Sequence, residues 1–508
     1  MRKFLGIVLL MVFAAALITG CSRDSGATGA ATGVREIRVA LESDIAALDP
    51  RNGLATITAS FLNHVFNALV VTDAQMNPMP GLAHRYEQLD DWTWRFYLRE
   101  GVQFHDGSIF TSQDVVYTFD SLRDTSRNWG LAGDFSFIYA RAVDRYTVDI
   151  YTADPFPGLL LRLNYVMMLP KDYIARVGYE AFANHPVGTG PFRFVSWHRD
   201  ERVVIEAFDD YWGGRAPVDR IVFRVIPEAA SRIAALEAGE VMYITAIPTA
   251  EKARLDAIGR LNVVAFPTSR IQFLNFNLLI DSPLRDIRVR QAINHAINRD
   301  LLIKGVLDGF GMRVASVSTP EYDGFDPNIR GFEYDPARAR RLMAEAGFPN
   351  GFTIEASFPT GAANGPEVMT FIAAQLSEIG IRMVIREMAA SQQRDMIIAG
   401  TALPLYFLAL GGPYANIDLI SRITFGTGER WSSYSNPAFD ELRRQASITI
   451  DQAERDRLNS RIQQFILDDA AGVILYQHVA LHATSGQLRG WEPRVDELRL
   501  FRNSYIAD

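Results

Sequence analysis

Cysteine is almost absent: the 508-residue chain has one, Cys21. A single thiol excludes any disulfide within the chain, so stability must come from the size of the core. Lysine is nearly as scarce, at four residues (Lys3, Lys171, Lys252, Lys304), and arginine carries the remaining positive charge. Positive charge is in deficit overall, with a formal net charge of −8. That excludes the broad basic footprint of a nucleic-acid binder and electrostatic docking on anionic lipid. Catalytic signatures are missing too. There is no Gly-x-x-x-x-Gly-Lys, no Gly-x-Gly-x-x-Gly and no Gly-x-Ser-x-Gly. The adjacent carboxylates Asp90/Asp91 and Asp209/Asp210 read as solvated turns, not as an acid–base pair. Beyond the first twenty residues no apolar run approaches the ~20 residues that a membrane span needs; Leu403 to Leu410 is too short.

The N-terminus is where the unusual features collect. Met1-Arg2-Lys3 precedes an apolar run from Phe4 to Ile18, then small residues at Thr19-Gly20. This is the pattern of a secretory signal over 1–20. Ile18-Thr19-Gly20-Cys21 resembles a bacterial lipobox, which implies a lipid on the Cys21 thiol as the mature N-terminus. Residues 21–34 are small and polar, and read as a flexible tether with a reach of roughly 20 Å. The chain beyond this tether is too long for one core, so at least two domains are expected.

From Arg35 on, periodicity predicts a mixed α/β chain. Strands are expected at Glu36–Leu41, Trp92–Leu98, Arg145–Tyr151, Phe192–Ser196, Arg202–Ala207, Ile221–Ile226, Gln272–Leu278, Gly380–Ile385 and Gly472–Tyr476. Helices are expected at Ser112–Leu122, Ala229–Ala238, Ile287–Asn298, Asp335–Ala346, Glu367–Ile379, Asn436–Ala446 and Gln452–Asp469. Several glycines sit at the helix ends, as caps do. No internal repeat is evident.

Four blocks carry a family resemblance. The first runs Pro80-Gly81-Leu82-Ala83, then Trp94-Arg95-Phe96-Tyr97-Leu98-Arg99-Glu100-Gly101-Val102-Gln103-Phe104-His105-Asp106-Gly107. The second is Pro186-Val187-Gly188-Thr189-Gly190-Pro191-Phe192, the third Ala235-Leu236-Glu237-Ala238-Gly239-Glu240-Val241, and the fourth Leu274-Asn275-Phe276-Asn277 with Arg288-Val289-Arg290-Gln291-Ala292-Ile293-Asn294. In this order they resemble the family 5 solute-binding proteins of ABC importers, which serve dipeptides, oligopeptides and nickel. Read as residues alone, the blocks are scaffold: Gly188-Thr189-Gly190-Pro191 supplies the backbone freedom and then the fixed φ of a tight interdomain turn.

The resemblance implies a periplasmic binding protein-like α/β fold of class II (cluster C), with two main lobes joined by a hinge and an extra inserted domain. Lobe I would take 35–70, 188–271 and 486–508, lobe II 71–187, and lobe III 272–485. Hinge crossings would lie near Arg270 to Asn277 and near Leu481 to Leu488. It also implies a non-enzymatic, monomeric, cofactor-free subunit at the extracytoplasmic face. That subunit would hold one peptide between lobes I and III and deliver it to a permease and ATPase; an oligosaccharide or a nickel chelate is the alternative cargo. Peptide-binding members anchor the ligand's ammonium on an aspartate, a position that falls here at Pro413, with Asn416 next and Asp418 beyond. A buried ammonium without a carboxylate is costly, so this departure bears on the ligand. The expected ligand-side residues are Gly411, Gly412, Tyr414 and Asn416, with Tyr406 and Trp431 as stacking platforms. His478 and His482 are four apart, a spacing known from metal sites, but they lie beside a strand and are expected to be structural.

Overall fold

The computed structural model describes residues 33–507 apart from 54, 125, 128, 363 and 413–415. The signal segment and Cys21 therefore lie outside the described residues. Strand β1 spans Glu36–Leu41, where Ile37, Val39 and Leu41 alternate into one core and Glu36 and Arg38 stay half-exposed. A separate antiparallel sheet follows, from β2 (Ala83–Gln88), β3 (Thr93–Leu98), β4 (Ile138–Ala142) and β5 (Thr147–Thr152), in the order β2-β3-β5-β4. Helix α1 (Ser112–Leu122) packs on it. Its start is fixed by a capping box in which Thr111 and Asp114 satisfy each other's free N–H groups. This body, the stretch expected as lobe II, packs on a core around Phe96, Phe104, Phe110, Phe119 and Phe135 that also takes in Ala59, Leu69 and Leu498.

The chain returns to β1 through the antiparallel strands β6 (Phe192–His198), β7 (Arg202–Ala207) and β8 (Arg220–Val225). β8 lies parallel to β1, from Glu36 opposite Arg220 to Leu41 opposite Val225. Helix α2 (Ala229–Glu237) crosses to β9 (Tyr243–Ile244), parallel to β1 on its other side. Together these form the half of the sheet that the sequence assigns to lobe I.

Strand β10 (Leu261–Phe276) then leaves lobe I and runs into lobe III. There α3 (Ile287–Ala296), β11 (Phe352–Pro359), α4 (Gly365–Ser377), β12 (Ile381–Met388) and β13 (Leu405–Leu410) form a second parallel layer. Helices α5 (Ile417–Phe425), α6 (Pro437–Ile448) and α7 (Gln452–Asp468) cover its other face. Two apolar cores result, one on each face of this half of the sheet. Strand β14 (Gly472–Ser485) carries the chain back beside β10. The whole sheet reads β12-β11-β13-β10-β14-β9-β1-β8-β7-β6, with a short strand at Gly311–Met312 joining β14. Among the described strands, β10 and β14 alone are long enough to run through both halves of the sheet.

Candidate functional site

In open α/β sheets, ligands sit beyond the carboxyl ends of parallel strands. Both lobes have such ends. In lobe I they are Leu41, Val225 and Ile244; in lobe III they are Pro359, Met388 and Leu410. Glu42 and Thr245, each one residue past an end in lobe I, hydrogen-bond at 2.7 Å. Past Leu410 come Gly411 and Gly412, pressed on the crossing strand. A Cβ on Gly411 would lie 2.5 Å from Arg270 Cα, so only glycine fits.

The crossing itself is irregular. The β10–β14 ladder shifts register between Pro267 and Ile271, leaving Thr268, Ser269 and Arg270 outside regular pairing. Their polar groups find other partners. Ser269 N–H donates to Val495 O at 2.8 Å, and the Tyr322 hydroxyl donates to Ser269 O at 2.5 Å. Gln477 Nε2 donates to Thr268 O at 2.8 Å, and Gly412 N–H to Ser269 Oγ at 3.0 Å. A second register shift follows between Gln272 and Phe273, so the ladder of the two long strands is irregular over this stretch.

Around this gap lies a buried cluster of charge. Arg270 grips Glu497 with two bonds, of 2.9 and 2.8 Å. Arg499 Nη2 donates to Glu42 at 2.7 Å. Arg232 donates only to carbonyls, those of Ile226, Pro227, Thr245 and Ala246. Burial alone would raise the Glu42 carboxyl, but the charge and hydrogen bond of Arg499 outweigh it and bring the pKa down to about 2. Burial works the same way against Arg270 on Glu497, which ends well below the ordinary carboxylate range. Glu497 and Ala246 also hold left-handed backbone, at φ 61° and 50°. Non-glycine residues persist there only when their surroundings over-determine them.

A second set of charges joins lobe II to lobe III. Arg422 pairs with Glu429 at 2.9 Å and with Asp134 of lobe II. Arg162 of lobe II lies 3.8 Å from Asp134 and 3.9 Å from Asp418, and Asp418 accepts from Arg443 at 2.9 Å. Signs alternate along the whole row, and it crosses the lobe II–III boundary through Arg422–Asp134 and Arg162–Asp418.

A sequence model for bacterial extracellular solute-binding proteins of family 5 matches residues 77–430. The chain belongs to this family. It is 29% identical to the glutathione-binding protein of Pectobacterium atrosepticum over 486 residues, covering 92% of this chain and 94% of that one. The dipeptide-binding protein of Escherichia coli K12 is 26% identical, with coverage of 81% and 83%. The fold superposes with a TM-score of 0.83 on a periplasmic binding protein of Helicobacter pylori solved with the peptide STSA, at 26% identity, covering 93% of this chain and 98% of that one. The α/β binding-protein fold that the sequence implies is thus the observed one.

The residues singled out from sequence fall in different places. Gly411 and Gly412 lie on the hinge gap; Tyr414 and Pro413 lie outside the described residues. The Asn416 side chain accepts from Leu419 N–H at 2.8 Å and caps α5. Tyr406 is wholly buried in the lobe III core, because strand alternation turns it inward with Leu408. It therefore offers no exposed ring in this conformation. Trp431 is half-buried against the same core. His482 bonds the Tyr243 hydroxyl at 2.7 Å, and burial pushes its pKa down to about 3. Among the described residues no group of three or more His, Cys, Asp or Glu side chains is placed to hold a metal, and no helix is long and apolar enough to cross a membrane. Sequence reading missed Glu42, Arg232, Arg270, Glu497 and Arg499. The only available signal was a charge inside an apolar run, as in Leu498-Arg499-Leu500.

Proposed function

We propose that this protein is the monomeric, extracytoplasmic binding subunit of an ABC importer. It captures one peptide between lobes I and III and presents it to the permease. One observation carries the reading: parallel-strand ends from both lobes point toward the irregular stretch of the two strands they share. The relatives named for glutathione and for dipeptides, and the neighbour holding STSA, favour a peptide as the ligand. Closure is a hinge motion at 267–271, shifting a pre-existing open–closed equilibrium. The test is native mass spectrometry of the soluble form lacking residues 1–21, followed by release and sequencing of what it carries. Co-purified peptides are the expected result; a bound oligosaccharide or metal chelate overturns the peptide reading.

In this reading the lobe II–III row latches the closed form. Arg422→Ala is expected to weaken peptide binding about tenfold, equivalent to ~1.4 kcal/mol, between the values of exposed and buried pairs. The loss should vanish in an Asp134→Ala background. Isothermal titration of the four proteins of this cycle measures it; equal losses in both backgrounds would remove the latch. Cys21 anchors the protein by lipid, so Cys21→Ser should move it from the membrane fraction to the soluble one. A variant that stays with the membrane removes the anchor.

A further inference from the structure

We propose that the C-terminal segment 494–501 is a strap that holds the crossing strand β10, at Ser269 and Arg270, onto lobes I and II, so that bending on closure is confined to the lobe III side of Arg270. The inference rests on the hinge-closure reading above and names the device that sets where the hinge bends. Three observations lead to it.

The first is where the broken ladder sends its bonds. A buried backbone group that loses its ladder partner must find another, and Ser269 and Arg270 take theirs from the C-terminal segment. Ser269 is fully buried, and its N–H donates to Val495 O at 2.8 Å. Arg270 holds Glu497 with two bonds. His478 of β14 lies 3.8 Å from the same carboxylate, so one side chain of the segment stands beside both crossing strands. Tyr322 and Gly412, from the other side of the gap, use different atoms of Ser269: the Tyr322 hydroxyl donates to its O and the Gly412 N–H to its Oγ. Ser269 thus divides its bonds between the segment and the half of the sheet that would move.

The second is what the segment is fixed to. Val495 N–H donates to Ala74 O at 3.1 Å, and Arg494 Nη2 to Thr72 O at 3.1 Å. Further on, Arg499 N–H donates to Ser60 Oγ at 3.1 Å and Phe501 N–H to His64 Nε2 at 3.0 Å, both on the helix Thr56–Val65. Leu498 lies in the core under the β2–β5 sheet, and Phe501 in the core of β1. These anchors all lie in the two bodies that precede β10.

The third is that the segment is built before it meets β10. Glu497 N–H donates to Arg494 O at 3.0 Å, and the Asp496 carboxylate accepts from Arg494 Nε at 2.9 Å and from Leu498 N–H at 3.0 Å. This turn holds Glu497 in left-handed backbone at φ 61°. A non-glycine residue persists there only when its surroundings over-determine it, and the outcome is a carboxylate aimed at Arg270. Hinges form where a few residues can absorb a change in φ and ψ. The strap denies that freedom to 269–270, whereas the next stretch carries the second register shift, between Gln272 and Phe273. The bend therefore starts at Ile271.

The test is residue-resolved hydrogen exchange of the soluble form lacking residues 1–21. Ser269 N–H reports the strap, and Gly412 N–H reports the lobe III side. Without ligand, Glu497→Gln should speed exchange at Ser269 about tenfold relative to the amides of β12. Ser60→Ala loosens only the far anchor and puts a better helix former in its place; it should speed Ser269 about threefold, and it decides the matter if Glu497→Gln fails to fold. Adding a mixed tetrapeptide pool should slow Gly412 about tenfold and leave Ser269 within about twofold, because the strap stays on through closure. A Ser269 amide that ignores both variants, or that follows Gly412 when the pool is added, overturns the strap. So does a pool that binds and slows neither amide. A pool that does not bind, read by native mass spectrometry, overturns peptide capture instead, and the ligand-free comparison still decides the strap.

Discussion

Glu497→Gln is expected to cost about 3–5 kcal/mol of stability, the range found when one partner of a buried ion pair is removed. The carboxylate is 10% exposed and takes both bonds from Arg270. Glutamine keeps the shape and the left-handed backbone cost at this position, so the comparison isolates the charge. Arg270 is left in a low-dielectric gap with a neutral neighbour. Urea titration at pH 7 measures the effect, and a change below about 1 kcal/mol would remove this pair from the forces holding the hinge. The pH dependence has a definite sign. Glu497 and Glu42 are both depressed in the folded state, Glu42 to about 2. Their contributions are complete above the ordinary glutamate range near 4.5 and fade as pH falls through the folded values. The gap between wild type and Glu497→Gln should therefore be widest above pH ~4.5 and shrink below it as both proteins become neutral there.

Much of the fold was legible because single elements obey local rules. Glu36–Leu41, Arg202–Ala207 and Ser112–Leu122 fall where apolar spacing puts them. The long strands were only partly readable. Gln272 to Leu278 shows the period of a strand, but the structure begins it at Leu261, because Pro267-Thr268-Ser269 interrupts the alternation where the ladder shifts. β14 reads as a strand up to Tyr476; beyond it, His478, His482 and Thr484 hide nine further strand residues, Gln477 to Ser485, which pair with strands distant in sequence. Phe352–Pro359 was missed although it alternates. The charged cluster at the strand gap was least legible of all. Its charges come from positions 42, 232, 270, 497 and 499, and pairing across 227 and 457 residues leaves no local pattern. Sequence drew attention to Gly411-Gly412, which do touch the gap, and to aromatic side chains that the core had already claimed.

Gly188→Ala and Gly190→Ala are expected to destabilise the protein by about 3 kcal/mol each, at the upper end for overpacking. The Gly-Thr-Gly-Pro segment suggested a turn needing unusual backbone angles, but neither glycine has a positive φ. The constraint is space. A Cβ on Gly188 would fall 2.1 Å from Val65 O, and one on Gly190 2.5 Å from His64 O. Backbone on the far side cannot give way as a flexible side chain would. The segment is also held from lobe II. His105 N–H donates to Gly188 O at 2.9 Å, and the His105 ring lies 3.3 Å from Gly188 N and 3.0 Å from Gly190 O. These bonds need a neutral ring, with Nδ1 accepting and Nε2 donating. Burial keeps it so, lowering the pKa to about 4. An added methyl must push the strand between residues 64–66 and His105 and strain both contacts at once. Gly133 gives the contrast, since it is helical and has nothing within 4 Å of a Cβ. There the same substitution should stabilise by up to ~1 kcal/mol through helix propensity alone. Thermal melts of the three variants measure the difference, and a Gly188→Ala protein that melts with wild type would mean the crossing yields where the packing says it is rigid.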